Sequence, residues 1–190
     1  STDGIWLVPH FEKMLYDNAL LISTLALAYE TTGSEFYKSI AAEVIRWLER
    51  EMKSPDGGFY STLDADTRGR EGTTYLWNPE QVKDAVGEEL APLALDFFGI
   101  SDEGNFEHSN VLSVRAPVEA LMKRHKLDQQ ALFAKLAEIT KKMKAVRDGR
   151  PQLRRDDKIL ADWNGLLLSG LSRAYRAFGD DHALELAKEL

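Results

Sequence analysis

The sequence predicts an all-α chain: a partial α/α-toroid, in which inner helices are wrapped by outer ones, carrying a small β-hairpin insertion. Three observations carry that expectation. A shift of 146 positions lays NALLISTLALAYETTG (residues 18–33) over NGLLLSGLSRAYRAFG (residues 164–179), with Asn, two Leu, Ser, Leu, Ala, Tyr and Gly coincident. Internal repetition of this kind is the signature of a helical unit used more than once. The first copy is followed by an amphipathic stretch, as in an αα-hairpin. Finally, residues 53–78 hold two β-rich runs separated by a charged loop. A plain helical bundle or solenoid is the competing arrangement.

Taken in order, residues 5–9 read as a short extended entry, because Pro9 disfavours helix at Val8. Residues 10–30 then read as a helix apolar on most sides, through Met14, Leu15, Leu20, Leu21, Leu25 and Ala28. Thr31, Thr32 and Gly33 end it, and Ser34 stands ready to cap the next helix. There Phe36, Ile40, Val44, Leu48 and Met52 recur at helical spacing. Pro55, Asp56, Gly57 and Gly58 make a turn, and the runs at 59–61 and 73–77 read as a long hairpin. Asn78 and Pro79 open a helix to Val86, and residues 88–98 continue the pattern after Gly87. A loop with a strand at 111–114, a short helix at 117–125 and a long amphipathic helix at 128–147 lead to the second copy of the repeat.

Composition bounds the function. The net charge of −7 argues against a broad nucleic-acid surface, and the absence of cysteine excludes disulfides and thiolate metal sites. No run approaches about 18 uninterrupted apolar residues, and the first residues show no cleavable leader, so a cytoplasmic protein is expected. Both ends look cut, as in a piece of a longer chain.

Three residue groups could do chemistry. Asp64 and Asp66, in LDADTRGREG with Glu71 nearby, stand two apart, so on extended chain both would point to one side. Paired carboxylates in unlike environments can divide into acid and base; a solvated loop balanced by Arg68 and Arg70 is the alternative. The spacing does not suit a calcium loop, which wants Glu at its twelfth position where this chain has Tyr75. Asp156, Asp157 and Asp162 form the second group. Asp162 is placed to cap the helix of Trp163, Lys158 could pair with either of the other two, and Asn164 opens the apolar run. Trp77, Trp163 and Tyr75 are either core or stacking surface for a sugar. The third group is His10, Glu12, Lys13 and Asp17, of which His10, Lys13 and Asp17 would share one face of a helix. That arrangement suits either an acid/base pair or a helix-mouth ion network. The four histidines lack zinc spacing, and no phosphate-loop or dinucleotide fingerprint is present, so no metal or cofactor is expected.

WLVPHFEKMLYDNALL (6–21), FYSTLDADTRGREGTTYLW (59–77), GNFEHSNVL (104–112) and RPQLRRDDKILADWNGLLLS (150–169) together resemble the YyaL-like, spermatogenesis-associated thioredoxin-like proteins. The resemblance implies an internal piece of a six-hairpin α/α-toroid, similar to those of N-acylglucosamine 2-epimerases and six-hairpin glycosidases, with a thioredoxin-like domain upstream as its partner. Family members often carry Gly-Lys where this chain has His108 and Ser109. The sequence thus offers two functional readings. In the first, a carbohydrate-active domain uses His10, Asp64, Asp66, Asp156 and Asp157 for proton transfer, with Tyr75, Trp77, Lys158, Trp163 and Asn164 contacting a sugar. In the second, a non-catalytic scaffold or binding domain serves the thioredoxin-like partner.

Overall fold

A computed structural model describes residues 2–190. In chain order the elements are β1 (Lys13–Met14), α1 (Leu15–Thr32), α2 (Glu35–Met52), β2 (Thr62–Leu63), β3 (Asp66–Thr67), β4 (Arg70–Glu71), α3 (Pro79–Val86), α4 (Ala91–Phe98), α5 (Val118–His125), α6 (Gln129–Asp148), β5 (Arg155–Asp156), α7 (Ala161–Phe178) and α8 (Asp181–Glu189). The described residues are mostly helical, with only two-residue strands between the helices. They divide into two compact units, one formed by Ser1–Phe11 with Asp66–Leu153, the other by Glu12–Ala65 with Arg154–Leu190.

The second of these units contains the repeat. Each copy is an 18-residue helix closed by a left-handed glycine, Gly33 at φ 67° and Gly179 at φ 66°, whose N–H returns to the carbonyl of Tyr29 or Tyr175. Glycine takes this conformation without the steric cost that a Cβ brings. The next helix begins two residues later in both copies, so α1–α2 and α7–α8 are the same αα-hairpin. The caps differ: Asp180 accepts from the backbone of His182 and Ala183, whereas the Ser34 side chain makes no capping bond.

Helices α1 and α7 pack against each other more extensively than any other pair. Leu15, Ala19 and Ile22 from α1 and Leu167, Leu171 and Ala174 from α7 are almost wholly buried, with Ile45, Leu48 and Met52 of α2 beneath them. Each fully buried aliphatic side chain of this size contributes about 1.5–3 kcal/mol. The helices are apolar on most sides in sequence, yet only one stripe is buried: Leu20, Leu27, Leu166 and Leu168 stand 49, 56, 39 and 41 % exposed.

The first long helix starts at Leu15 rather than at residue 10, because Lys13 and Met14 pair as a strand with β2. The long hairpin over residues 59–77 is replaced by two separate features: β2 pairs with β1 and β5, and β3 pairs with β4 across a two-residue turn. Residues 111–114 are not a strand; Asn110 instead forms a single bridge with Trp77. The entry at 5–9 is not extended, since Trp6 has φ 59° and the Asp3 carboxylate gathers the N–H groups of Ile5, Leu7 and Val8.

The other unit has its own core, built from Val82, Leu93, Leu121, Leu132 and Ile139 around the buried Trp77. Asn78 caps α3 as the sequence predicts, here within a capping box, and Asp128 caps α6. In the loop GNFEHSNVL, Glu107 and His108 both have positive φ, and Phe106 and Ser109 exchange backbone hydrogen bonds around them. A glycine at this kind of turn would relieve the strain that these two side chains sustain.

Gly170 sets how closely α1 and α7 approach, for a Cβ there would lie 2.8 Å from the Ala19 carbonyl oxygen. Gly165, on the same helix, has open space instead. Helix propensity favours alanine over glycine by about 1 kcal/mol at either site, while overpacking costs about 1–3 kcal/mol. Gly165→Ala is therefore expected to raise the urea midpoint and Gly170→Ala to lower it; a gain at both sites would show that the helices are not in close contact.

Candidate functional site

The functional candidates of the second unit gather around its small sheet. Strand β2 is central and antiparallel to both neighbours, with Met14 opposite Thr62, Thr62 opposite Asp156, and Leu63 opposite both Lys13 and Arg155. The pairing extends past the strands: Asp64 N–H donates to the Arg154 carbonyl at 2.8 Å, and Ser61 donates to the Asp156 carbonyl from its N–H at 3.3 Å and its hydroxyl at 3.1 Å. The sheet is tied to the helices at two places. Leu15 N–H, at the start of α1, donates to the Ser61 carbonyl at 2.9 Å. Asn164, in the first turns of α7, accepts from Phe59 N–H at 2.8 Å and donates to the Phe59 carbonyl at 3.0 Å.

On this sheet lies an open cleft of about 520 Å³ lined by Glu12, Thr62, Asp64, Arg154, Asp156 and Lys158, with Arg155 and Asp157 beside them. Two of its carboxylates, Asp156 and Asp157, are paired with cations. Lys158 donates to the Asp156 carboxylate from Nζ at 2.9 Å and from its backbone N–H at 3.2 Å. The Lys158 side-chain bond first, and its backbone N–H second, hold the Asp156 carboxyl below its ordinary range. Arg155 donates from Nε to Asp157 at 2.6 Å, reaches the Glu51 carbonyl at 3.3 Å, and lies 4.1 Å over the Tyr60 ring. Asp156 is thereby kept ionised, the opposite of what a general acid needs near neutral pH.

Of the sequence candidates, Asp64, Asp156, Asp157 and Lys158 thus line one cleft. His10, Asp66, Tyr75 and Trp77 belong to the other unit. His10 is not on a helix and Lys13 lies in β1, so the shared helical face of His10, Lys13 and Asp17 is not formed. Asp66 stands opposite Glu71 in the β3–β4 hairpin. Trp77 is 2 % exposed, with Arg150 3.9 Å over its ring, so it offers no face to a sugar. Asn164 is a buried clamp whose amide is used on Phe59 and on the Leu160 carbonyl, not a ligand contact. Trp163 is half-buried against the core with its ring 4.7 Å from that of Tyr16. Leu160, not Asp162, occupies the cap position of α7, and Asp162 accepts only from its neighbour's N–H at Trp163.

Arg154 and Thr62 were not singled out by sequence. Arg154 lies two residues before Asp156, and Thr62 joins the site through strand pairing across 94 residues of chain, from Thr62 to Asp156. Among the described residues no three His, Asp or Glu side chains are grouped to hold a metal ion, and no helix is long and apolar enough to cross a membrane.

The Asp156–Lys158 pair gives a pH signature. The folded-state pKa of Asp156 lies below its unfolded value, so the pair is intact at neutral pH and is lost only in acid, as pH falls through the folded value. The Asp156 carboxyl signal in NMR should titrate below the ordinary aspartate range, and Lys158→Met should move it back up. An unshifted titration in the parent chain would mean that the pair does not form in solution.

No protein-family model matches the chain. It is 34 % identical over 212 aligned residues to human spermatogenesis-associated protein 20, covering 98 % of this chain and 27 % of the relative. The mouse protein of that name is 35 % identical over 204 residues, covering 94 % and 26 %. An uncharacterised Caenorhabditis elegans protein, B0495.5, is 27 % identical over 214 residues. The chain thus spans about a quarter of the length of the curated relatives it matches. Along the part of their length that it matches, the chain belongs to the family of spermatogenesis-associated protein 20.

Proposed function

We propose that this chain contributes a polar binding cleft to a larger α/α-toroid, and that the cleft holds a hydroxyl-rich small molecule such as a sugar without turning it over. The observation that carries this reading is the pairing of Asp156 and Asp157 with Lys158 and Arg155 at 2.9 and 2.6 Å. Carboxylates and ammonium or guanidinium groups held in place are good acceptors and donors for hydroxyls, and they bind without needing to exchange protons. The repeated αα-hairpin supports the toroid, because inner helices α1 and α7 lie side by side with α2 and α8 following each of them. The thioredoxin-like domain implied by the sequence resemblance is the proposed partner in the longer protein.

A second reading is acid/base chemistry on a sugar, as in an epimerase or a glycoside hydrolase. It is favoured by one observation, that Glu12 and Asp64 line the same cleft as the two paired aspartates. Both readings are separated by titrating the chain with glucose, mannose, N-acetylglucosamine and N-acetylmannosamine while following amide shifts and product formation. The binding reading expects shifts confined to residues 62–64 and 154–158, abolished by Asp156→Ala, with no product. Product formation that is lost in Asp64→Asn would establish the second reading instead. Absence of shifts in this cleft would overturn both.

A further inference from the structure

The first unit holds a second cleft, of about 380 Å³, whose character is the reverse of the one described above. It lies between the β3–β4 hairpin and the segment after α6. Three arginines line it, Arg68, Arg70 and Arg150, together with Thr73, Thr74 and Gln81, and no carboxylate is among its lining residues. In a chain of net charge −7 this concentration of guanidinium groups is local.

Each arginine is placed differently. Arg150 is the anchor. Its Nη1 donates to the carbonyls of Thr74 at 3.0 Å and Leu76 at 2.8 Å, and its guanidinium lies over the Trp77 ring at 3.9 Å. Its partners are neutral oxygens and a ring, and burial first, with Arg147 second, disfavours its charged form. A half-buried cation in that state gains from an anion. Arg68 occupies the first turn position of the hairpin at φ 55°, followed by Gly69 at φ 76°. Asn, Asp or Gly normally fills such a turn, and a long side chain in the left-handed region costs on the order of 1–2 kcal/mol. The cost is sustained at a site that puts a guanidinium on the cleft. Arg70 follows on β4 and lines the cleft as well.

The wall is fixed before any ligand arrives. Thr67 and Thr74 share a hydrogen bond at 2.6 Å, and the Thr74 hydroxyl donates to the Pro151 carbonyl at 2.9 Å, which ties the hairpin to the segment carrying Arg150. Gly72, at φ 69°, lies so close to Phe11 that a Cβ would fall 2.7 Å from its ring, so the hairpin is seated rather than free. The Gln81 carbonyl oxygen is held by Asn78 N–H, which leaves its amide nitrogen as the donor.

We propose that this cleft is a binding site for the phosphoryl group of a small molecule. Forked guanidinium donors match the tetrahedral oxygens of phosphate bidentately, and three cations answer a dianion better than a single carboxylate charge. The site is distinct from the polar cleft of the other unit, and the proposal stands whether or not a sugar binds there.

The test is calorimetric titration of the full chain with inorganic phosphate, with acetate as the carboxylate comparison. Phosphate is expected to bind and acetate to bind at least tenfold more weakly, about 1.4 kcal/mol by the affinity relation. Arg70→Gln should weaken phosphate about tenfold, the effect of one charge-assisted bond. Arg68→Gly keeps the test independent of folding, because removing the side chain relieves the left-handed turn. That variant should melt no lower than the parent while losing phosphate affinity to a similar degree. No phosphate binding by the parent, equal binding of acetate, or undiminished binding by both variants would each overturn the assignment.

Discussion

The close approach of α1 and α7 governs the unit that carries the polar cleft. Gly170 lets the α7 backbone come against the Ala19 carbonyl, and the aliphatic side chains on either side of that contact are excluded from water. Interiors of this kind pack at crystal-like density, so the separation of the two helices is not adjustable by small amounts. The cleft inherits its geometry from that separation. The start of α1 holds the Ser61 carbonyl, and Asn164 of α7 holds both polar groups of Phe59, so the central strand is suspended between the ends of the two helices. Asp64 and Asp156 then line one cleft because β5 pairs with that strand, not because they are near in sequence.

The repeat shows how one helical unit is adapted to two tasks. Asn18 and Asn164 both donate to the carbonyl four residues earlier, at 2.8 and 2.9 Å. Only Asn164 also reaches across 105 residues to clamp a strand. The same sequence position is a local backbone brace in one copy and a tertiary link in the other. The buried stripes differ as well. Leu167 is fully buried where its counterpart Leu21 is 43 % exposed, because the two helices meet each other through non-equivalent faces.

What was legible in the sequence follows from what is local. The terminal glycines, the Asn78 cap and the helical periodicity all act within a few residues, and all are found in the structure. The two-residue strands carry no such pattern. Lys13 and Met14 continue an apolar helical spacing, yet pairing with Leu63 and Thr62 takes them out of the helix, a tertiary contact overriding propensity. The site was half legible for the same reason. Asp64, Asp156, Asp157 and Lys158 could be named by residue type, but the partner each carboxylate chose, and the burial of Trp77 and Asn164, depend on contacts made across the chain. The basic cleft was hidden behind the overall negative charge: Arg68 and Arg70 read as counter-ions for neighbouring acids until the hairpin showed which side they occupy.

The central claim is that the helix pair holds the strands that form the polar cleft, so that helix core and sheet open together. Native-state hydrogen exchange tests it most directly, since it reports the opening free energy of each amide. The account predicts that the N–H groups of Ser61 and Asp64 exchange with the same opening free energy, and the same denaturant dependence, as buried amides of α1 and α7 such as those of Ile22 and Leu171. Sheet amides that exchange far faster, while the helix core stays protected, would contradict it.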